Sequence, residues 1–112
     1  MEQNVFEIYG GIKLIHVFGE ITPDFWDELP HSHEHCEIFI HIKGKLNIFV
    51  EENLYSLNGG EIRIYRSNEL HCGKTDFTQY MEWYQVSVPR EFFETEENKV
   101  LGNVLFDRKA RP

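Results

Sequence analysis

The chain has 112 residues, of which 41% are hydrophobic and 14% aromatic, so it is long enough for one domain with a core and too short for two. Its 19 acidic residues outnumber its 11 basic ones and give a formal net charge of −8 at pH 7. A surface this acidic repels phosphate backbones and anionic lipid, which argues against binding of nucleic acid or a membrane surface by this chain.

The sequence shows no sign of a membrane or export segment. No apolar run is long enough to span a bilayer, and the start, Met1 to Asn4, lacks the basic and apolar blocks of a secretory signal. We therefore expect a cytoplasmic protein. A disulfide is unusual in a reducing compartment, so we interpret Cys36 and Cys72 as reduced packing residues.

The first third of the chain indicates a β-hairpin followed by a loop. Val5 to Tyr9 and Ile12 to Ile21 are rich in β-branched and aromatic residues, and Gly10-Gly11 between them is a hairpin signal. Thr22 to Pro30 contains two prolines and is expected to be a loop. Trp26 in this loop either stacks on a ligand or fills a gap in the packing.

The most informative segment is His31-Ser-His33-Glu34-His35-Cys36-Glu37. In an extended chain, residues two and four apart share a face, so His31, His33 and Glu37 would point the same way. Two imidazoles and a carboxylate on one face are a typical ligand set for non-haem iron, manganese, nickel or zinc. His71, after a later strand-and-turn unit, is the candidate for a fourth ligand.

The rest of the chain continues as short strands and turns and ends in a helical pattern. The strand that carries the motif is expected to run from about His31 to Gly44. Further strands are expected over Leu46–Glu51, Leu54–Leu57, Glu61–Tyr65 and Phe77–Val88, with a strong turn signal at Asn58-Gly59-Gly60. After Pro89, the apolar residues follow helical spacing at Val100, Leu101, Val104 and Leu105. We divide the chain into a β-barrel over 1–89 and a short helical tail of the same domain over 90–112.

Many short strands with frequent turns predict an all-β barrel or sandwich rather than a parallel α/β sheet. A resemblance narrows this choice. The spacing His-x-His, three residues, Glu, six residues, Gly resembles the first signature of the cupin superfamily, at His31, His33, Glu37 and Gly44.

The second cupin signature begins with Gly, continues through a Pro-x-Gly turn and ends in His. It is matched here by Gly60 and His71, with Arg66 in place of Pro, Asn68 in place of Gly and Thr75 in place of a late Asn. Asn tolerates the left-handed conformation that such a turn needs. The resemblance implies a small cupin jelly-roll barrel with a short C-terminal helical segment. It also implies that the four candidate ligands converge near the mouth of the barrel.

Within the cupins, Pro30 to Phe93 looks most like the N-terminal effector-sensing domain of AraC-type transcription regulators. Tyr80 to Phe93, YMEWYQVSVPREFF, is similar to the closing strand of those domains. The resemblance implies a small polar effector such as a sugar, with helices that dimerise and a DNA-binding part that follow the barrel. The chain leaves no room for that part, so we expect an excised sensor domain, or a truncated or single-domain relative.

Two functions remain open on this basis. In a sensor, Trp26, Tyr65 and Trp83 would cover the apolar faces of a sugar and His41 would line the pocket, with or without a divalent metal (Zn, Ni, Fe or Mn). In a stand-alone metal-dependent cupin enzyme, of the sugar isomerase or dioxygenase type, the metal would act as a Lewis acid or activate oxygen. A third reading is a structural barrel. A homodimer through the apolar tail or a sheet edge is compatible with each.

Overall fold

The computed structural model describes residues 2–23, 34–66 and 68–106, except for the side chains of Leu105 and Phe106. Within these residues the chain forms eight strands: β1 Glu2–Tyr9, β2 Ile12–Ile21, β3 Cys36–Lys43, β4 Leu46–Val50, β5 Asn53–Leu57, β6 Ile62–Tyr65, β7 His71–Lys74 and β8 Gln79–Val88. A 3-10 turn, Arg90–Glu94, and one helix, α1 Glu96–Phe106, follow. The predicted all-β architecture with a short C-terminal helix is confirmed.

The strands form two antiparallel sheets that enclose the core. The five-stranded sheet has the order β1-β2-β8-β3-β6 and the three-stranded sheet the order β5-β4-β7. The core between them consists of Val17, Ile21, Leu46, Ile48, Val50, Leu57, Tyr65, Met81 and Trp83. Because successive side chains alternate between faces, Glu37, Phe39 and His41 of β3 point into this space and the intervening isoleucines point outward.

Two left-handed backbone positions shape the turns near the site. Gly44 has a φ of 99°, and a Cβ built on it would lie 2.7 Å from Cγ of Met81, so the β3–β4 turn requires glycine. Asn68 has a φ of 61° at the position where the second cupin signature has glycine. The expectation that asparagine adopts the left-handed conformation at this position is therefore confirmed.

The C-terminal helix packs on the 3-10 turn. A Cβ at Gly102 would lie 3.1 Å from the Phe93 side chain, so the absence of a side chain lets α1 approach this ring closely. Val100, Leu101 and Val104 are 68%, 46% and 66% exposed. Neither α1 nor any other helix among the described residues is long and apolar enough to cross a membrane.

Both cysteines are buried within the described part of the chain. Cys36 lies at the start of β3 and Cys72 in β7, and the two are not joined in a disulfide. This agrees with their interpretation as reduced packing residues.

Candidate functional site

Two of the four candidate ligands meet between the sheets. Glu37 lies in β3 of the five-stranded sheet, and His71 is the first residue of β7 in the three-stranded sheet. Both are buried, with relative exposures of 4% and 5%. Oε1 of Glu37 is 3.5 Å from Nε2 of His71. The fold thus joins residues from the two signatures, as the resemblance implied for this pair.

The tautomer of His71 follows from its backbone contact. Nδ1 of His71 lies 2.8 Å from the carbonyl oxygen of Glu69, which can only accept a hydrogen bond, so Nδ1 carries a proton. In the neutral ring, Nε2 then presents its lone pair towards the Glu37 carboxylate. An imidazole nitrogen and a carboxylate oxygen thus face the same space, and both are atoms of the kind that bind divalent metal ions. A backbone carbonyl on the second nitrogen is also how proteins orient metal-ligating histidines.

Three neighbours hold this pair in place. Nε2 of Gln85 donates a hydrogen bond to Oε2 of Glu37. The Tyr65 ring stacks on the His71 ring at 4.1 Å between centroids and 11° between planes. Nε2 of His35, whose side chain is 39% exposed, lies 3.8 Å from Oε2 of Glu37. The carboxylate therefore has one oxygen towards His71 and the other towards Gln85 and His35.

A cavity of about 350 Å³ reaches His35, the partly exposed neighbour of Glu37, but neither Glu37 nor His71 is among its lining residues. His35 lines it, and so does Ser87, whose backbone pairs with that of Glu37 across β3 and β8. Its remaining lining includes side chains of both charges and two turn residues, namely Lys13, Arg90, Glu34, Glu91, Gly11 and Pro89. The cavity has the size of a small-molecule site, and its lining suits a polar ligand.

Comparison with known proteins supports a fold assignment. No family model matches the sequence, and no curated protein sequence matches it. An RmlC-like cupin with a double-stranded β-helix fold from Methanocaldococcus jannaschii superposes with a TM-score of 0.61 at 13% identity, covering 84% of this chain and 87% of that one. The chain has a cupin fold.

Two further solved structures agree with this assignment. Protein plu4264 from Photorhabdus luminescens gives a TM-score of 0.61 at 14% identity, with 95% of this chain and 84% of that chain covered. A cupin-2 domain protein from Shewanella frigidimarina gives 0.57 at 19%, with coverages of 78% and 79%. At these identities the likeness shows the fold alone, so the closer resemblance to AraC-type sensing domains stays a prediction.

Part of the predicted cupin site lies outside the described residues. His31, His33 and Trp26 all lie in the segment 24–33. Among the residues that the structure does describe, no group of three or more His, Cys, Asp or Glu side chains has the geometry of a metal site. The four-ligand set stays a prediction, of which Glu37 and His71 have been located.

Two predicted pocket residues lie deeper in the cupin barrel. His41 is 1% exposed, and its Nε2–H donates to the carbonyl oxygen of Gly44 at 2.8 Å. Burial lowers the pKa of His41 below its usual 6.5, against the opposing effect of the Gly44 hydrogen bond. Trp83 is 6% exposed, with its ring centroid 6.4 Å from that of His41. A third predicted ligand-binding residue, Tyr65, stacks on His71 of the Glu37–His71 pair.

Two charged residues of the five-stranded sheet, Arg63 and Glu82, lie on opposite faces of it. Arg63 lies opposite Phe39, on the inner face of β6, with its guanidinium 4.3 Å from the centroid of the Tyr55 ring. Its Nε is buried and has no hydrogen-bond acceptor among the described residues. Glu82 instead accepts a 2.8 Å hydrogen bond from His16 on the outer face of the five-stranded sheet.

Sequence reasoning did not find Gln85. The sequence does contain an indication of its position. In the long aromatic strand β8, Gln85 is separated from Met81 and Trp83 by an even number of positions, so it points inward with them. Register completes the inference, because Gln85 pairs with Phe39 and is therefore a diagonal neighbour of Glu37 on the same face. A polar residue at an inward position of a buried strand needs a polar partner, and here that partner is Glu37.

Proposed function

We propose that this chain is a cupin ligand-binding domain that takes up a small polar molecule such as a sugar next to Glu37 and His71. The observation that carries the proposal is the buried pair itself, in which Nε2 of His71 faces Oε1 of Glu37 at 3.5 Å. Glu37 and His71 are buried and come from the two different sheets, and an imidazole beside a carboxylate is a typical pair of donors for a metal ion or a polar ligand.

A divalent metal is part of the proposal. His31, His33, Glu37 and His71 would hold it, and three imidazoles with a carboxylate suit zinc, nickel, iron or manganese. When bound, the metal would polarise an oxygen atom of the ligand. The Glu69 carbonyl keeps the His71 lone pair pointing inward, and Gln85 fixes the Glu37 carboxylate.

Three features favour a polar ligand that is uncharged or weakly acidic. The cavity is lined by lysine and arginine as well as glutamate, so it offers both donors and acceptors to hydroxyl groups. The buried Nε of Arg63 adds a donor on the inner face of the barrel. Tyr65, already stacked on His71, provides an aromatic surface of the kind that packs on the apolar face of a sugar ring.

A regulatory role, as in AraC-type sensing domains, is supported by the position of Arg90. This residue lines the cavity next to the candidate site and also a second cavity of about 270 Å³ that Phe93, Lys99 and Gly102 line at α1. A ligand that moves the Arg90 side chain towards the first cavity would change the packing of this residue at the second cavity, next to α1. In a longer regulator, binding would then shift the equilibrium between barrel and helix arrangements.

A stand-alone metal-dependent cupin enzyme, of the sugar isomerase or dioxygenase type, is the second candidate. One observation favours it: His35 lines the cavity, is partly exposed and lies 3.8 Å from Glu37. A titratable group placed beside the metal ligands could move a proton to or from a bound substrate.

The binding proposal is tested by a thermal-shift screen of neutral monosaccharides against metal-loaded protein. A sugar at ten times its Kd stabilises by about 1.4 kcal/mol, which raises Tm by several degrees in a domain of this size. The shift should vanish in His71→Ala and persist in Asn47→Ala, which removes an exposed hydrogen bond to Asp76 on the three-stranded sheet. If no sugar shifts Tm, or if His71→Ala responds as the wild type does, sugar binding at this site is disproved.

The enzyme candidate has a separate test. Turnover of a sugar substrate by wild-type protein that disappears with chelator and in His35→Gln, while binding persists in His35→Gln, would decide for the enzyme. Binding without turnover would decide for the sensor.

A further inference from the structure

The second cavity, of about 270 Å³, lies between the start of β3 and the C-terminal helix α1. The described residues that line it include three cationic side chains and no carboxylate; they are Cys36, Arg66, Arg90, Phe93, Lys99, Gly102 and Asn103. The cations come from three separate segments, namely the turn after β6, the 3-10 turn and α1. Because the chain has 19 acidic and only 11 basic residues, this lining reverses its overall charge balance. The cavity is therefore suited to an anion.

The orientation of α1 agrees with this. Lys99, Gly102 and Asn103 follow the spacing i, i+3, i+4 and so share one face of the helix. That face is directed at the barrel, since all three residues line the cavity and Gly102 is buried. The apolar residues lie elsewhere on the helix: Val100, Leu101 and Val104 are 68%, 46% and 66% exposed. An amphipathic helix ordinarily turns its apolar stripe towards the core. The reverse orientation here places an ammonium and an amide beside the cavity.

The three cations retain hydrogen-bond donors for a ligand. Nε and Nη2 of Arg66 both lie 3.2 Å from Oε2 of Glu69, a buried carboxylate that fixes the guanidinium and leaves Nη1 to donate. Nε of Arg90 lies 3.5 Å from Oε1 of Glu94, and both side chains are about half exposed, so this pair contributes little. Lys99 has no carboxylate partner in the part of the chain that the structure describes.

The arrangement of the donors favours a phosphate group over a carboxylate. A carboxylate is planar and has two oxygens, which a single guanidinium satisfies. A phosphate monoester carries about −1.5 to −2 charges at pH 7 and has three acceptor oxygens, so it can bind donors from three directions. Arginine is especially suited to such a group, because its planar fork matches phosphate oxygens.

The size of the cavity limits what is attached to the phosphate. A volume of about 270 Å³ lies just below the range of about 300–1,000 Å³ that is typical of small-molecule sites. It therefore suits inorganic phosphate or a phosphate on a small organic group. The net charge of −8 repels an extended polyanion such as a nucleic acid.

We propose that the second cavity binds a small phosphate group, either inorganic phosphate or a small phosphate monoester, through Arg66, Arg90 and Lys99. The proposal does not depend on the function proposed above, because the cavity is not lined by Glu37 or His71. An anion bound there connects α1 to the turn after β6 and to the 3-10 turn. It therefore stabilises the packing of the helix on the barrel.

The test is a titration of ¹⁵N-labelled protein with inorganic phosphate, glucose 6-phosphate, acetate and sodium chloride at equal ionic strength. The amide signals of Phe93, Gly102 and Asn103 report on the cavity. We expect saturable shifts with both phosphates and no saturable shift with sodium chloride. A lower Kd for glucose 6-phosphate would support the site and identify a monoester as its ligand, whereas a lower Kd for inorganic phosphate would support it and identify the free anion.

Two lysine variants separate the cavity from the overall charge. Lys99→Gln and the control Lys45→Gln both replace an exposed lysine and change the net charge equally, but Lys45 does not line the cavity. Because both side chains are exposed, the fold should tolerate either change. We expect Lys99→Gln to weaken phosphate binding about tenfold, which corresponds to one charge-assisted hydrogen bond. Lys45→Gln should bind phosphate as the wild type does.

Three results would overturn the proposal. Neither phosphate might saturate the signals; the two lysine variants might weaken binding equally, which would reflect net charge alone; or acetate might bind as tightly as phosphate, which would exclude a phosphate-specific site. Hydrogen exchange of the wild-type α1 amides gives a readout that needs no substitution. Phosphate should slow this exchange and sodium chloride should not, and an exchange rate that phosphate leaves unchanged would contradict an anion between helix and barrel.

Discussion

The two ends of β3 carry two buried polar side chains on the same inner face, and they differ in which of their hydrogen-bonding atoms are occupied. At one end, Nε2–H of His41 donates to the Gly44 carbonyl, and the ring packs near Trp83. At the other end, Glu37 turns one oxygen towards the lone pair of His71, while the Glu69 carbonyl occupies the second nitrogen of that ring. The first arrangement completes a core. The second presents ligand atoms to a common point.

The two histidines differ in the groups that they face, and this difference underlies the proposal that His71, and not His41, is a ligand. Burial is nearly the same, since His41 and His71 are 1% and 5% exposed. They differ in the group that Nε2 faces, which is the Glu37 carboxylate for His71 and the Gly44 carbonyl for His41. A histidine beside a carboxylate is a combination found in metal sites, whereas a hydrogen bond from a histidine to a carbonyl in a tight turn satisfies a buried donor.

The largest expected effect is on stability at the His41 end. His41→Ala removes a buried ring and leaves the Gly44 carbonyl without its donor, which should lower the free energy of unfolding by about 2–4 kcal/mol. Urea denaturation measures this. The metal content should be unchanged. A loss of metal in this variant would contradict the proposal that His41 serves packing and His71 serves metal binding.

The turn that positions the acceptor of His41 gives a second prediction. Gly44→Ala forces a side chain to a φ of 99° and against Cγ of Met81, so we expect a loss of about 2–3 kcal/mol in urea denaturation. Gly60→Ala is the matched control. Its φ is 88° but no atom lies within 4 Å of the added Cβ, and the loss should be about 1 kcal/mol. Equal losses would mean that packing against Met81 does not matter.

At the Glu37 end, the expected effect is on binding rather than folding. Gln85→Met removes the donor to Oε2 of Glu37 at similar volume, and loss of such a supporting hydrogen bond typically weakens metal affinity about 10- to 100-fold. Competition with a chromogenic chelator measures the affinity. Gln79→Met, a glutamine on the same strand that bonds to Lys45 and Thr75, is the control and should bind metal as the wild type does. Unchanged affinity in Gln85→Met would show that this hydrogen bond does not support the metal ligand.

The smallest effect is a pH dependence of stability. Burial lowers the pKa of His41 below 6.5, so on acidification the unfolded chain takes up this proton before the folded one does. The stability that His41 contributes is therefore present above pH 6.5 and is lost as the pH falls below it, by at most about 1.4 kcal/mol per pH unit. Urea denaturation at pH 7.5 and 5.5 should show a smaller loss in His41→Gln than in wild type. An equal loss of stability in His41→Gln and wild type would show that groups other than His41 cause the pH dependence.

The sequence predicts much of this molecule because its signals are local. Turn glycines and β-branched runs placed the hairpin at Gly10-Gly11 and the end of β8 before Pro89. The strand β7 was missed, since His71-Cys-Gly-Lys contains no β-branched residue and is only four residues long. Similarly, β1 begins at Glu2 rather than Val5, because its polar start is fixed by pairing with β2 and not by its own composition.

The candidate site was harder to predict, because it depends on register between strands that are distant in sequence. Alternation within β3 indicates that Glu37 points inward, but the partnership with Gln85 follows only from the pairing of β3 with β8.

The most direct test of the central claim is the metal content of protein purified without an affinity tag, measured by mass spectrometry for wild type, His71→Ala and His41→Gln. The account predicts close to one divalent metal ion per chain in wild type and in His41→Gln, and its loss in His71→Ala. Folded wild-type protein that contains no metal, and takes none up from zinc, nickel, iron or manganese, would contradict it.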